Sequence, residues 1–181
     1  RLNESDLMKI TPVIEKYIQH WGEMGLRWGT NRTVAQIQAL LYLSPNPLTT
    51  KEISNLLSVA QSHVSSSLRE LQNYGVVKMT HIAGDRDDYF ESIHDVWELF
   101  RVIIEQRKQK ELSPTLIMLN ECSIEIEKEN EAHQVTKERI HNMLSFVNSI
   151  NNWYEKIKSV SNASLQKIMK LGNAITKFVG K

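Results

Sequence analysis

The feature that most constrains the fold is a change of hydrophobic periodicity in the first half of the chain. Apolar residues recur every three or four positions in two short segments, a first one that follows residues 49–52 and a second at 60–74, which is typical of amphipathic helices. Two β-rich runs follow at 76–82 and 89–93, and the polar turn 83–88 separates them. Two short helices joined by a tight turn and followed by a hairpin predict a winged helix-turn-helix.

Signals for helix starts and stops bracket these two helices. The letters TTKE at 49–52 predict a capping box, in which a hydroxyl and a carboxylate bond free N–H groups of the first turn. The letters SVAQ at 58–61 have the same form and predict a second box at the start of the next helix. That helix is expected to run to about Tyr74 and to end at Gly75.

The rest of the chain is predicted to be helical. Residues 4–21 form an amphipathic helix that is expected to end at Gly22 and Gly25, because glycine tolerates the left-handed conformation there. A second helix is predicted over 32–44, and everything from Asp95 onward has helical spacing. The expected fold class is mostly α with a small β-hairpin wing, as a winged helix-turn-helix domain plus a helical dimerisation region.

The most regular spacing in the chain, 3-4-3-4-3, is typical of a coiled-coil seam. The seam consists of Ile140, Met143, Val147, Ile150, Tyr154 and Ile157. A monomer would have to hide these side chains, so we expect a second copy to cover them and helices 1–21 and 133–179 to dimerise. The expected division is an N-terminal helix and loop at 1–31, a DNA-binding domain at 32–94 and a helical dimerisation region at 95–181.

Composition excludes several classes of protein. A single cysteine, Cys122, excludes an internal disulfide framework and a Cys-rich zinc site, and Glu121 and Glu125 beside it favour an inert thiol. The apolar runs are shorter than a membrane span and no secretory signal is visible, so a cytoplasmic protein is expected. No Gly-rich phosphate loop, metalloprotease motif or nucleophile elbow occurs, so we expect neither an enzyme nor a cofactor.

Net charge does not by itself indicate a nucleic-acid partner. The chain carries a formal +1, with nine Lys and Arg against eleven Asp and Glu over 1–95 and thirteen against ten over 96–181. Over 51–86 the balance is four against three. We expect weak non-specific affinity for DNA, and binding that depends on a dimer with two reading helices.

The helix at 60–74 has the residue types that a recognition helix needs. Val64 is expected to point inward, and short or hydrogen-bonding side chains are expected to face bases and phosphates. These side chains are Gln61, Ser62, His63, Ser65, Ser66 and Ser67. Gln pairs bidentately with adenine, Ser bonds several groups, and Arg69 could hold a phosphate. The alternative is an ordinary solvated helix face.

The predicted wing at 83–88 carries Arg86 between acidic residues. An Arg at this position can enter a narrow minor groove, where the negative potential is greatest. Asp85 could pair with Arg86 or fix the turn. The alternative is a plain surface turn without a DNA contact.

The sequence resembles the MarR family of winged-helix regulators, and more narrowly its GbsR-type branch, over roughly residues 17–120. The similar stretches are "HWGEMGLRWGTNRT", "RTVAQIQALLYLSPNPLTTKEISNLLSVAQSHVSSSLRELQNYGVV", "GDRDDYFES" and "DVWELFRVIIEQRKQKELSPTL". The resemblance implies a homodimer whose terminal helices build the interface and whose two winged domains read a palindrome, with transcriptional control that is usually repression. The family's Asp-x-Arg wing pattern is not reproduced, since Asp85 and Arg86 are adjacent.

The resemblance also suggests an effector, because some members of the branch look like sensors of choline or related osmolytes. A quaternary ammonium group needs an aromatic cage. The candidates are Trp21, Trp28, Tyr42 and Trp97, and the alternative is that they are ordinary core aromatics. The rival function is a winged-helix adaptor or structural protein that binds protein partners rather than DNA.

Overall fold

The computed structural model describes residues 8–130 and 133–179, with side chains described up to residue 171. The described chain forms two compact units, one up to Val102 and one from Ile103. The elements that lie wholly in the first unit are α1 (Pro12–Arg27), α2 (Arg32–Leu43), β1 (Leu48–Thr49), α3 (Thr50–Leu57), α4 (Gln61–Asn73), β2 (Val77–His81) and β3 (Asp88–Ser92). Helix α5 (Val96–Arg107) contains the boundary between the units. The second unit continues with a π-helical turn (Lys108–Leu112), α6 (Ser113–Ile126), α7 (Gln134–Lys158) and α8 (Asn162–Val179).

Helix α1 begins later than the sequence analysis predicts. Thr11 is its N-cap, with a side-chain oxygen that accepts from the Ile14 amide, and Pro12 occupies the first helical position. Proline fits there because the first amide has no partner inside the helix. The predicted start at residue 4 lies outside the described residues, as do residues 1–7 of the proposed dimer helix 1–21.

The prediction that Gly22 and Gly25 end the first helix is wrong. Both glycines are buried inside α1, which continues to Arg27. A Cβ on Gly25 would lie 2.4 Å from the Ala35 Cβ, so the missing side chain lets α1 and α2 approach closely. These glycines serve helix packing rather than helix termination.

The four helices α1, α2, α3 and α4 and the sheet share one apolar core. Its most deeply buried side chains are Ile37, Leu40, Leu41, Ile53, Val64 and Leu68. The sheet has three antiparallel strands in the order β1-β3-β2, and the sequence analysis missed the two-residue strand β1. The structure thus confirms a mostly helical fold with a small hairpin and adds a third strand.

Of the two predicted capping boxes, one is confirmed and one is wrong. The Thr49 Oγ1 accepts from the Glu52 amide at 3.2 Å, and the Glu52 carboxylate accepts from the Thr49 amide at 2.7 Å. Ser58 instead ends α3 in the left-handed conformation with φ 53°, and Ala60 precedes α4 without any side-chain cap. A residue in the left-handed region cannot serve as an N-cap, which needs extended backbone.

The second unit is built on the pairing of α6 and α7 and on a polar network at Glu105. The Glu105 carboxylate accepts from the Tyr154 hydroxyl at 2.7 Å and pairs with the Lys158 ammonium at 3.0 Å. These bonds, the Tyr154 one first, lower the pKa of Glu105 to about 2. Nearer the α6–α7 connection, the His141 ring bonds Ser123 and Glu127. No helix within the described residues is long and apolar enough to cross a membrane.

The residues of the predicted seam differ in exposure within the single chain. Val147 is buried, whereas Met143 and Ile150 are exposed. Met143 and Ile150 form an apolar row with 3-4-3 spacing together with two residues outside the prediction. This row is here called the α7 stripe. Its members, each at least 40% exposed, are Met143, Phe146, Ile150 and Trp153.

Candidate nucleic-acid interface

Helices α3 and α4 are joined by a tight turn that a serine fixes. Three residues, 58–60, connect them, and Ser58 adopts the left-handed conformation that reverses the chain. The Ser54 hydroxyl donates to the Val59 carbonyl at 2.7 Å, and the Val59 amide donates to the Ser54 carbonyl at 3.1 Å. Sequence reasoning missed this clamp, since no local pattern indicates that Ser54 bonds across the turn.

The outer face of α4 carries most of the predicted reading residues. Six of them are exposed: Gln61, Ser62, His63, Ser65, Ser66 and Arg69. Val64, Leu68 and Leu71 face the core, as predicted. The Ser66 hydroxyl donates to the His63 carbonyl at 3.0 Å, so its lone pairs remain available as acceptors.

The prediction that Ser67 faces outward is wrong. Ser67 is 6% exposed and lies on the buried stripe of α4, three residues after Val64 and four before Leu71. This spacing was visible in the sequence and places Ser67 on the core side. A hydroxyl in that position does not reach a DNA groove.

The first turn of α4 is also open. No side chain caps it, since Ala60 occupies the N-cap position. The His63 amide donates to the Ala60 carbonyl at 3.0 Å, whereas the amides of Gln61 and Ser62, like the first amides of any helix, have no partner inside the helix and lie at the positive end of its dipole. An uncapped start of this kind suits a phosphate oxygen.

The wing is held in shape by Asp85. Its Oδ1 accepts from the Asp87 amide at 3.1 Å, and its Oδ2 accepts from the Tyr89 hydroxyl at 2.8 Å. These bonds, the Asp87 one first, lower the pKa of Asp85, and the hydrogen bond to Asp85 raises the pKa of Tyr89 to about 12. Of the two predicted roles for Asp85, the structure shows the one that fixes the turn.

Arg86 lies at the tip of the wing and is exposed. In the part of the chain that the structure describes, no ion pair of Arg86 is found. The neighbouring Asp88 pairs with His81 at 3.6 Å, next to the turn of the hairpin, when the histidine is protonated. The tip therefore presents a guanidinium that a phosphate can reach.

The four candidate cage residues do not share one aromatic cluster. Trp21 and Trp28 contact each other with ring centroids 5.9 Å apart, and Trp28 is half exposed. Tyr42 instead contacts the His94 ring at 6.5 Å. Trp97 is partly buried, and among the described residues no ring contact links it to the other three.

Potential metal ligands and the cysteine were located among the described residues. None of their His, Cys, Asp and Glu side chains come together in a group of three that could hold a metal ion. Cys122 is partly buried, with its Sγ 3.6 Å from the Met118 Sδ.

Known proteins with similar sequences are regulators. Residues 33–79, from α2 into β2, match the family described as bacterial regulatory protein, arsR family. YvaV of Bacillus subtilis strain 168 is 20% identical over 125 residues, which cover 69% of this chain and 71% of that protein. The name of YvaV assigns it provisionally to the HTH-type transcriptional regulators.

One solved structure of sufficient similarity has the same fold. A crystal structure described as a transcriptional regulator has a TM-score of 0.61 at 16% identity, and the match covers 81% of this chain and 96% of the other. MepR, a transcription regulator of the Staphylococcus aureus multidrug efflux pump MepA, reaches only 0.38 at 15% identity, covering 76% and 93%. None of these proteins is named as an enzyme. By its helix-turn-helix domain, this chain is a transcriptional regulator of the DNA-binding type.

Proposed function

We propose that the chain is a homodimeric repressor that reads a palindromic operator, in keeping with the resemblance to the GbsR-type branch of the MarR family. Helix α4 enters the major groove, and the wing at 83–88 contacts the adjacent minor groove. The observation that carries the proposal is the outer face of α4, which is polar, has no Lys, Arg, Asp or Glu in its first two turns and is uncapped at its start. A cytoplasmic location goes with this function.

Gln61 is the side chain best placed to read a base. It is exposed in the first turn of α4, the part of a recognition helix that reaches furthest into the groove. Its amide can bond adenine bidentately, and one such contact discriminates by about 1–3 kcal/mol. Ser62, Ser65 and Arg69 extend the contacts along the same face.

Paired glutamine variants test this assignment. Gln61→Ala is expected to weaken binding to the preferred DNA by about 1–3 kcal/mol and to relax the sequence preference. Gln72→Ala is the matched control, because Gln72 is also exposed but lies in the last turn of α4. Binding is measured by fluorescence anisotropy on promoter fragments. Equal affinities and preferences for the wild type and Gln61→Ala would remove Gln61 from the reading set.

Dimerisation is proposed through the terminal helices, with the α7 stripe as its centre. Four apolar side chains in 3-4-3 spacing on one helix match the pattern by which two helices pack side by side. Water-exposed apolar rows of this kind mark association surfaces. A dimer would present two α4 helices to successive major grooves. Two reading helices would compensate for the weak DNA affinity expected from the absence of net positive charge in residues 1–95.

The mass in solution tests the dimer. The wild type is expected at twice 20.9 kDa by analytical ultracentrifugation. Phe146→Glu places a charge in the α7 stripe and should shift the equilibrium to the monomer, whereas Asn152→Glu adds the same charge at an exposed polar position. A wild type that stays at the monomer mass at DNA-binding concentrations would contradict the proposal.

The rival function, an adaptor that binds protein partners, has one supporting observation. Residues 1–95, which include the helix-turn-helix, carry eleven acidic against nine basic residues. Binding to promoter fragments at two salt concentrations separates the two functions, because phosphate contacts make the affinity fall as salt rises. Failure to retain promoter fragments at either salt concentration would favour the adaptor.

An osmolyte effector is proposed at the Trp21–Trp28 pair. Two tilted rings with centroids 5.9 Å apart, one of them half exposed, offer part of a cage for a quaternary ammonium group. Tyr42 and Trp97 would have to move to complete it. Titration with choline and glycine betaine should change the tryptophan fluorescence of the wild type and not of Trp28→Ala. Unchanged fluorescence and melting temperature in the wild type would exclude this effector.

A further inference from the structure

The tip of the wing has an unfavourable charge balance for a DNA contact. Three carboxylates, Asp85, Asp87 and Asp88, surround the single cation Arg86. A carboxylate beside the Arg guanidinium competes with a DNA phosphate, because both anions accept hydrogen bonds from the same N–H groups. The bonding of these carboxylates therefore decides whether the wing attracts DNA.

Of the two carboxylates next to Arg86 in the sequence, that of Asp85 is hydrogen-bonded elsewhere. Both oxygens of Asp85 accept a hydrogen bond, one from the Asp87 amide and one from the Tyr89 hydroxyl. The bond to the Asp87 amide closes a turn whose central residue is Arg86. The bond to Tyr89 holds the Asp85 carboxylate against strand β3.

Tyr89 is a firm anchor for this contact. It lies in the central strand β3, where it pairs with Thr49 of β1 on one side and Thr80 of β2 on the other. Tyr89 is buried, and its hydroxyl donates to the carboxylate of Asp85, four residues back along the chain. The position of the hydroxyl is thus set by the sheet and not by the exposed tip.

We propose that the Tyr89 hydroxyl is a positioning group for the wing: it holds the Asp85 carboxylate away from Arg86 and so leaves the guanidinium for the DNA backbone. This inference rests on the proposed function, since it requires the wing to contact DNA. Its specific content is that Tyr89 acts through the charge of Asp85.

The experiment compares three variants in salt-dependent binding to the preferred promoter fragment. Tyr89→Phe keeps the ring and removes only the hydroxyl, so Asp85 becomes free to pair with Arg86. We expect it to lower the affinity about as much as Arg86→Ala does, and each of the two to reduce the salt slope by about one. The double variant Tyr89→Phe/Asp85→Asn should recover most of the wild-type affinity, because the side-chain amide introduced by Asp85→Asn keeps an acceptor for the Asp87 amide and removes the competing charge.

The outcomes separate this inference from the proposed function. A thermal melt of Tyr89→Phe within a few degrees of the wild type shows that the fold is kept. Wild-type affinity of Tyr89→Phe, or no recovery in Tyr89→Phe/Asp85→Asn, overturns the role of the hydroxyl. Wild-type DNA affinity of Arg86→Ala overturns it as well. In that case the affinity of Gln61→Ala still tests independently whether α4 reads DNA. A wild type that retains no DNA at all contradicts the proposed function itself.

Discussion

Two glycine-to-alanine substitutions in α1, three residues apart, are expected to differ in stability by about 2 kcal/mol. A Cβ at position 25 would lie 2.4 Å from the Ala35 Cβ. Carbon atoms in good contact are about 3.5–4.0 Å apart, so α1 and α2 would have to separate by about 1 Å or more. That separation would loosen Ile18 and Val34, which are both buried in the same core.

The magnitude follows from two opposing terms. Overpacking a core typically costs about 1–3 kcal/mol, and a clash between two side chains fixed to helix backbones belongs at the upper end. Replacing Gly by Ala inside a helix returns about 1 kcal/mol. Gly25→Ala is therefore expected to lower the free energy of unfolding by about 2 kcal/mol.

Gly22→Ala is the matched comparison. Its Cβ would meet the Gln36 Cγ at 2.7 Å, and the next contacts are also atoms of long side chains. Gln36 can move at the expense of an exposed hydrogen bond to Gln19. The helix-propensity gain then offsets the steric term, and the net change stays within about 0.5 kcal/mol.

Urea unfolding followed by circular dichroism measures both variants. The midpoint should fall for Gly25→Ala and stay near the wild type for Gly22→Ala, with the same dependence on denaturant in all three proteins. Equal effects of the two substitutions, or a Gly25→Ala protein as stable as the wild type, would refute the close approach of α1 and α2.

Three further outcomes follow from particular contacts. Thr49→Ala removes the acceptor for the Glu52 amide, and urea unfolding should show a loss of about 1 kcal/mol. The pKa of Glu105 is lowered to about 2 from 4.5, mainly by the Tyr154 hydroxyl, so its stabilising effect should be present above pH 4.5 and fade toward pH 2. The difference in melting temperature between the wild type and Glu105→Gln should shrink over that range, and a constant difference would contradict the contact. Ser67→Ala should leave the DNA affinity unchanged while Ser65→Ala lowers it, because only Ser65 is exposed; the reverse order in anisotropy titrations would place the reading face elsewhere.

Features that depend on short stretches of sequence could be predicted. The capping box at Thr49 needs only four neighbouring residues, and the buried stripe of α4 follows from the helical period. The same period places Ser67 on the core side, because it applies to serines as strictly as to apolar residues. The order of helices and hairpin, and most of the outer face of α4, could therefore be read from the sequence.

Features that depend on a partner distant in the sequence could not be predicted. Gly22 and Gly25 look like helix ends until α2 is placed beside them, and β1 exists only because Leu48 pairs with Phe90. The hydrogen bond from Tyr89 to Asp85 likewise requires the shape of the whole hairpin tip. In each case the residue type is compatible with several local structures, and a tertiary contact selects one of them.

The most direct test of the central claim is a footprint of the purified protein upstream of its own gene. We expect sequence-specific protection of two half-sites about one helical turn apart, roughly 10 base pairs from centre to centre, that weakens as salt is raised. Gln61→Ala should lose this protection before Gln72→Ala does. No protection of any upstream fragment at low salt, or protection that ignores sequence, would contradict the reading of DNA by α4.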